Sequence, residues 1–221
     1  MVAKEMISEV IPSLRTSDTG QNALNWMDIF KVTHLPIVND KEFLGLVSEG
    51  DIYDLNMPDE PLGNHQLSLF RPYVHGHQHA FEIMELASRL KLSVVPVLDD
   101  RKMYLGLITI PDLLHYFSDF SALSSPGSII VIEFSHNDYS LNQISQIVEG
   151  NNARILALYI TSLPNSMLME VTIKLNVSDV TSIKQSFARY NFNVLGTYMK
   201  HDDEDDLMED RYSFLLKYMD I

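Results

Sequence analysis

The sequence predicts an α+β protein of two parts, the first with α/β character: a duplicated helix–strand–strand–helix unit and then a single β-α-β-β-α-β unit. The motif Gly-Leu-aliphatic-(Ser/Thr)-x-x-Asp occurs twice, as GLVSEGD at 45–51 and as GLITIPD at 106–112. A segment of aliphatic residues around a proline precedes each motif, LPIV at 35–38 and VPVL at 95–98. The turn-rich SSPG at 124–127 separates this repeat from a segment with another order of elements. Duplication at a near-constant offset indicates two copies of one module.

Each copy predicts a helix, a hairpin and a second helix. The proline segment and the glycine motif are rich in aliphatic residues and are joined by short polar turns, which predicts two paired strands. Upstream of each hairpin, apolar residues recur at helical spacing. These residues are Ala23, Met27 and Phe30 in the first copy and Ala80, Ile83, Met84, Ala87 and Leu90 in the second. Ser17 is a suitable N-cap for the first helix, and Asp51 and Asp112 each precede a short amphipathic segment. The linker MPDEPLGNHQ gives 1–58 and 59–123 as the modules.

The C-terminal part predicts the ferredoxin-like order of elements. SIIVIEF, ARILALYIT, MLMEVTIKL and FNVLGTY are the candidate strands. One helix, predicted to end at Gly150, lies between the first two, and another, predicted to be capped by Ser178, lies between the last two. The order β-α-β-β-α-β over 127–200 is the split-βαβ arrangement. Residues 201–221 are predicted to be an acidic linker and a short C-terminal helix.

Composition and charge exclude several classes of protein. The chain carries 30 acidic and 16 basic residues, a formal charge of −14, which opposes binding to nucleic acid and to anionic membranes. The sequence has no cysteine, no apolar run of the roughly 18 residues that span a bilayer, and no signal-peptide pattern. We therefore expect a cytoplasmic protein. No phosphate-binding, zinc-protease or nucleophile-elbow motif is present, so we expect no catalytic activity and no required cofactor.

The repeated Ser/Thr-x-x-Asp motif has a structural and a ligand-binding interpretation. In the structural one, Asp51 and Asp112 cap the helices that follow, and Ser48 and Thr109 lie at strand ends. In the other, an aspartate accepts hydrogen bonds from ribose hydroxyls, and a helix start beside Ser or Thr offers N–H groups to a phosphate. Glu49 would repel a phosphate in the first copy, so the second copy is predicted to be the better site.

The two copies resemble a tandem pair of cystathionine β-synthase (CBS) domains, a Bateman module. The resemblance covers roughly residues 1–120 and rests on LPIVND...FLGLVSEGD and VPVLDD...YLGLITIPD. It implies two clefts that bind an adenine nucleotide (AMP, ADP or ATP) or S-adenosylmethionine. The residues to which it assigns the ligand are Thr109, Asp112, Ser48, Asp51, Thr16, Arg15, His75, Pro36, Val94, Val95 and Pro96. Among them the aspartates bind ribose, Ser48 and Thr109 contact phosphate, and the aliphatic residues around Pro36 and Pro96 enclose adenine.

Three histidines at alternate positions, His75, His77 and His79, allow a second interpretation, which is metal binding. Imidazole suits zinc, copper or nickel, and histidine-rich tracts can bind metal. No cysteine or carboxylate accompanies them at a familiar spacing, which favours loop histidines with His75 facing a ligand. A metal-responsive sensor that uses these histidines stays an alternative hypothesis.

Residues 127–198 resemble an ACT domain, and the whole order resembles bacterial acetoin-utilisation-type CBS–ACT regulatory proteins. The first resemblance rests on the order of elements, although the loop SHNDYSL has no glycine where ligand-binding members carry one. The combination implies a non-catalytic homodimeric sensor, with the ACT-like part responsible for oligomerisation or signal output. The alternative is a ligand-free dimeric scaffold that recruits an unidentified downstream protein through its acidic tail.

Overall fold

The computed structural model describes residues 1–55, 58–65, 69–120, 122–135, 139–162 and 166–199. The predicted acidic linker and terminal helix at 201–221 lie outside the described residues. The chain divides into two compact units, Met1–Ser118 and Asp119–Ile221. In the part of the chain that is described, no helix has the length and apolar character needed to cross a membrane.

The first unit contains the predicted repeat, preceded by a short 3-10 helix at Ala3–Glu5. The first copy consists of α1 (Gly20–Phe30), β1 (His34–Asn39), β2 (Glu42–Ser48) and α2 (Glu49–Asp54). The second copy consists of β3 (Val74–His75), α3 (Ala80–Leu90), β4 (Val94–Leu98), β5 (Tyr104–Thr109) and α4 (Ile110–Phe120). A second 3-10 helix, Leu62–Asn64, lies in the linker between the copies.

The long helices α1 and α3 are bounded by matching signals. The hydroxyl oxygen of Thr19 accepts a hydrogen bond from the backbone of Asn22, so Thr19, and not the predicted Ser17, is the N-cap of α1. Ser17 lies two residues before Thr19, in the turn that precedes the helix. Both helices end at a lysine with left-handed backbone, Lys31 with φ 54° and Lys91 with φ 52°. This conformation turns the chain sharply into the strand that follows.

Each copy completes its sheet with a strand segment from the other copy. The backbone N–H of Ser8, which precedes the first copy, donates to the carbonyl of Leu107 in β5 at 2.8 Å. The N–H of Leu46 in β2 donates in turn to the carbonyl of Phe70, also at 2.8 Å. We call these two segments, around Ser8 and around Phe70, the exchanged segments. They explain the repeated glycine, because a Cβ on Gly45 would lie 2.6 Å from Leu69 Cβ, a distance at which atoms overlap.

Equivalent residues of the two copies meet along an approximate two-fold axis. Phe43 and Tyr104 occupy the same place in their copies, and their rings stack with centroids 6.3 Å apart. At the other end of the strands, the N–H of Thr33 donates to the hydroxyl of its counterpart Ser93 at 3.0 Å. A common hydrophobic core fills the unit, and both copies contribute buried side chains to it. Ile37 is one of these side chains from the first copy. The beginnings of β1 and β4 therefore lie side by side at one end of the axis.

The second unit is a four-stranded antiparallel sheet covered on one face by two helices. Its elements are β6 (Ser128–Ser135), α5 (Leu141–Gly150), β7 (Ile155–Ser162), β8 (Leu168–Leu175), α6 (Thr181–Arg189) and β9 (Asn193–Met199). The strand order is β7-β8-β6-β9. Alternate residues of β6, such as Ile130 and Ile132, are fully buried against Val148 and Phe187 of the helices. The order of strands and helices confirms the predicted ferredoxin-like arrangement.

One of the two predicted helix boundaries in this unit is confirmed. The helix α5 ends at Gly150 as predicted, although the left-handed backbone position follows at Asn152, with φ 59°. The other is wrong, because Val180 and not Ser178 is the N-cap residue of α6, and it has no side-chain capping bond. The carboxylate of Asp179 accepts a hydrogen bond from the N–H of Thr181, the first residue of the helix, at 2.9 Å.

Candidate functional site

In the first motif, Ser48 and Asp51 hydrogen-bond to each other at the end of β2. Ser48 is the N-cap of α2, and its hydroxyl oxygen accepts from the backbone of Asp51 at 3.1 Å. The Asp51 carboxylate returns to the backbone N–H and the hydroxyl of Ser48 at 2.8 and 2.7 Å. This is a capping box, in which Asp51 stands three residues inside the cap. The prediction that the aspartates themselves cap the helices is therefore wrong for Asp51, since Ser48 is the cap.

The second motif has the same local geometry but a different environment. The Thr109 hydroxyl donates to Asp112 Oδ2 at 2.7 Å and accepts from the Asp112 backbone N–H at 3.1 Å. Thr109 is buried, and Asp112 is partly buried in the first turn of α4. From the described residues, no hydrogen bond reaches Asp112 Oδ1. One carboxylate oxygen is thus held by the protein while the other can accept from a ligand.

Asp112 lies in a cleft of about 460 Å³ between the two copies. The volume is within the range of small-molecule sites. The walls come from the first exchanged segment, the end of α1 and the start of α4: Ser8, Val10, Ile11, Phe30, Lys31, Val32, Ser93, Thr109, Ile110, Pro111 and Asp112. Sequence reasoning named Thr109 and Asp112 but missed Ser8 and its apolar neighbours. The exchange that brings them there leaves no periodic signal in the sequence.

The backbone at the start of α4 is already saturated. The N–H of Ile110 donates to the carbonyl of Ser93 at 3.3 Å. Pro111 has no N–H, and the N–H of Asp112 donates to Thr109. Of the donors that a helix start leaves without an intrahelical partner, those of Ile110 and Asp112 are therefore engaged, and Pro111 has none.

Three predicted site residues lie at the far end of the strands from the two motifs. Thr16 exchanges hydrogen bonds with Asn39 at the end of β1, with its Oγ1 accepting at 3.0 Å, and Arg15 is its exposed neighbour. Ser48, by contrast, pairs with His34 at the start of β1. Six residues of strand separate the two places by about 17 Å. The structure therefore does not bring Arg15 or Thr16 into the cleft with Ser48.

His75 shows the same displacement in the second copy. It pairs with Leu98 at the end of β4, and its Nδ1 lies 3.2 Å from the carbonyl oxygen of Asp99. Thr109 pairs with Val94 at the opposite end of that strand. The structure therefore does not bring His75 together with Thr109, and the segment that lines the cleft of Asp112 is the first exchanged segment, around Ser8.

The remaining predicted residues are central strand residues of the common core. Val94 and Val95 are fully buried, and Pro36 and Pro96 are buried beside them. Pro36 pairs with Leu46 and Pro96 with Leu107 across the hairpins. Their side chains belong to the core, and the apolar side chains that line the cleft of Asp112 belong to other residues.

The corresponding place in the first copy carries a histidine. His34 stands where the second copy has Val94, and its Nδ1 lies 3.2 Å from Ser93 Oγ. Burial lowers the pKa of His34, and the Asp51 carboxylate partly opposes this shift. Since Glu49 begins α2 where Ile110 begins α4, the ends of the two copies differ in charge.

The three histidines of the HGHQH stretch have separate roles. The rings of His75 and His77 stack with centroids 5.6 Å apart, and His77 Nδ1 lies 3.3 Å from Asp100 Oδ1. His79 is the N-cap of α3, and its Nδ1 accepts from the N–H of Phe81 at 3.3 Å. Within the described ranges, no three histidine, aspartate or glutamate side chains are arranged to hold a metal ion.

The fold and the cleft define a class of protein: a tandem-repeat module with pseudo-two-fold symmetry. Residues 3–57 and 71–119 match the family model of the CBS domain. The N-terminal unit of this chain therefore belongs to the CBS domain family, as a tandem pair, and the predicted family is confirmed.

Solved structures give matches of the same kind. A CBS domain pair/ACT domain protein from Thermotoga maritima is 21% identical, with a TM-score of 0.48, over 54% of this chain and 98% of that one. A putative acetoin utilization protein (AcuB) from Vibrio cholerae is 20% identical, with a TM-score of 0.47, over 56% of this chain and 95% of that one. CBSX2 in complex with AMP is 18% identical, with a TM-score of 0.46, over 53% and 96%.

Proposed function

We propose that this protein is a non-catalytic cytoplasmic regulator whose CBS pair binds an adenosyl ligand in the cleft of Asp112. The C-terminal ferredoxin-like unit acts as an ACT-like domain that forms a homodimer or transmits the signal. Occupancy of the cleft regulates the protein by favouring one arrangement of the two copies over another. Such an effect requires that the ligand bind one arrangement more tightly.

The observation that carries the proposal is the half-engaged carboxylate of Asp112. Oδ2 is held by Thr109, which fixes the orientation of the group, and Oδ1 of this cleft-lining residue receives no hydrogen bond from the residues that the structure describes. A carboxylate in this position accepts hydrogen bonds from vicinal hydroxyls, and such charge-assisted bonds are stronger than neutral ones. The apolar walls around Phe30 and Ile110 suit a flat aromatic base. A nucleoside combines the two, because its ribose has vicinal hydroxyls and its base is a flat aromatic ring.

The cleft also has the right position for regulation. Ser8 and Lys31 come from one copy and its preceding segment, while Thr109 and Asp112 come from the other. A ligand that contacts both sides stabilises one relative position of the copies. The hydrogen bond between Thr33 and Ser93 joins the two copies beside this cleft, since Ser93 is one of its lining residues.

Thermal unfolding in the presence of AMP, ADP, ATP, adenosine and S-adenosylmethionine tests the proposal. A ligand at 100 times its Kd adds about 2.7 kcal/mol to the free energy of unfolding. We expect a shift of the midpoint with at least one adenosyl compound. The Asp112→Asn variant should lose about tenfold to a hundredfold in affinity, because a charge-assisted bond contributes about 1.5–3 kcal/mol.

The matched control is Asp51→Asn, which makes the same change in the first copy. It should leave affinity at the second cleft unchanged. An unchanged affinity in Asp112→Asn, with a loss in Asp51→Asn, would move the site to the first cleft. The absence of any shift with all five compounds would contradict the proposal and leave both motifs as helix caps.

A further inference from the structure

We propose that the cleft of Asp112 selects an adenosine compound with no phosphate or one phosphate over the diphosphate and the triphosphate. This inference rests on the proposed function and adds the class of ligand. Four features of the cleft support it: the saturated helix start, the engaged hydroxyl of Thr109, the paired state of Lys31, and the largely apolar lining.

The start of α4 has no donor left for a phosphate. Phosphates bind helix starts through free backbone N–H groups. Ile110 donates to Ser93, Asp112 donates to Thr109, and Pro111 has no N–H. The first copy has Gly50 where the second has Pro111, so the missing donor is specific to the second copy. A phosphate in the second cleft would have to displace an existing hydrogen bond.

The Thr109 hydroxyl is equally committed. It donates its one hydrogen to Asp112 Oδ2 and accepts from the Asp112 backbone. Donation to a phosphate would break the bond that orients the carboxylate. The predicted division of roles, with the hydroxyl on phosphate and the carboxylate on ribose, is therefore at odds with this geometry. The pair acts as one acceptor unit.

Lys31 is the single cationic side chain that lines the cleft, among the residues that the structure describes. Its Nζ lies 2.7 Å from Asp28 Oδ1, and its side chain is 79% exposed. The hydrogen bond and charge of Lys31 lower the pKa of Asp28, so this carboxyl stays ionised beside the lysine. The cation at the mouth is thus shared with a carboxylate and screened by water, which leaves little attraction for an additional phosphate.

The other lining residues give further phosphates no support. Val10, Ile11, Phe30, Val32 and Ile110 are apolar, and Asp112 is an anion that repels phosphate. One phosphate at the mouth can reach Lys31 and Ser8. A second and a third would lie against apolar walls or in solvent near an acidic protein of net charge −14.

Isothermal titration of adenosine, AMP, ADP and ATP without magnesium tests the selection directly. The titrations use the full chain and the Asp51→Asn variant, in which the first cleft lacks its carboxylate. We expect adenosine and AMP to bind with affinities within about tenfold of each other and ATP to bind at least about tenfold more weakly than AMP. ATP binding equal to or tighter than AMP binding, still reduced by Asp112→Asn, would overturn the inference and leave the proposed function standing.

Two exposed variants isolate the role of Lys31. Lys31→Gln should weaken AMP severalfold and leave adenosine unchanged, because only the phosphate contacts the lysine. Asp28→Asn releases Lys31 from its partner and should strengthen AMP and ATP relative to adenosine. Equal effects of either substitution on adenosine and AMP would contradict the assignment.

The repeat supplies a matched control. Lys91 holds the place of Lys31 in the second copy, and Ser88 holds the place of Asp28, so the control lysine has no carboxylate three residues before it. Lys91→Gln should leave the affinities of the second cleft unchanged. A loss of AMP binding in this variant would show that the phosphate lies in the first cleft. If neither these four compounds nor S-adenosylmethionine binds the unaltered chain, the proposed function itself fails.

Discussion

The two copies of the CBS repeat share a frame and differ at the end of the strands where the clefts lie. The stacked pair Phe43 and Tyr104 and the capping motifs are common to both. The first copy has His34 and Glu49 at the positions where the second has Val94 and Ile110. The residues that build the frame are alike in the two copies, while these two positions differ in polarity and charge. The comparison therefore separates residues that support the module in both copies from residues that distinguish one copy from the other.

The largest expected effect tests the shared frame at its repeated glycine. Gly45→Ala and Gly106→Ala should each lower the free energy of unfolding by about 3 kcal/mol, because φ is +151° and +155° and an exchanged segment leaves no room for a Cβ. Chemical denaturation monitored by circular dichroism measures the loss.

Gly50→Ala is the control from the same motif as Gly45. Its Cβ would have Ser48 Oγ as its nearest neighbour, at 3.7 Å, in a helical conformation. We expect an unchanged or slightly higher stability, by about 0.5–1 kcal/mol. A similar loss in all three variants would show that the exchanged segments do not explain the glycines.

A smaller effect should distinguish the two caps. Ser48→Ala removes the N-cap of the short, exposed helix α2 and should cost about 1 kcal/mol. Thr109→Val keeps the shape of a buried side chain but leaves the N–H of Asp112 without its acceptor, and should cost about 2 kcal/mol. Thermal unfolding of the two variants side by side measures the difference. Equal losses would mean that burial of Thr109 does not strengthen the second cap.

The smallest effect is the contribution of His34, which has no counterpart histidine in the second copy, to the dependence of stability on pH. Burial lowers the pKa of His34 below its ordinary value, so the unfolded chain binds a proton more readily than the folded chain. The resulting stabilisation is complete above the ordinary pKa of about 6.5 and is lost as the pH falls from there towards the folded pKa. The Asp51 carboxylate acts in the opposite direction and limits the effect.

His34→Val copies the second repeat and removes this titration. When the pH is lowered from 7 to 5, we expect the midpoint temperature of the unaltered chain to fall more than that of the His34→Val variant. A difference that stays constant over this range would contradict the role of His34. Val94→Ile, at the matching position, controls for the change of a buried strand residue.

Much of the fold was predictable because its signals are local. The hairpins around Pro36 and Pro96 follow from short alternating and aliphatic segments, and the helices follow from apolar spacing such as that of Ala23 and Met27. The cap of α1 was misplaced from Thr19 to Ser17, because several adjacent hydroxyl side chains offer the same hydrogen bond and only the tertiary path of the chain selects one.

The candidate site was predictable only in part. Thr109 and Asp112 belong to a motif that can be recognised in the sequence because it occurs twice. Ser8 and Lys31 reach the cleft through the exchange of segments and the symmetry axis, which depend on contacts between residues far apart in the chain. The saturation of the helix start likewise needs the carbonyl of Ser93, which the sequence alone does not place near Ile110.

The exchanged segments make the two copies depend on each other for folding. A chain with only one copy would leave β2 without the strand that Phe70 supplies, and would itself hold a segment like that around Ser8 with no strand to join. Two such chains would complete each other only by reciprocal exchange. Because one chain carries both copies, the completion of both sheets is an intramolecular step that does not depend on protein concentration.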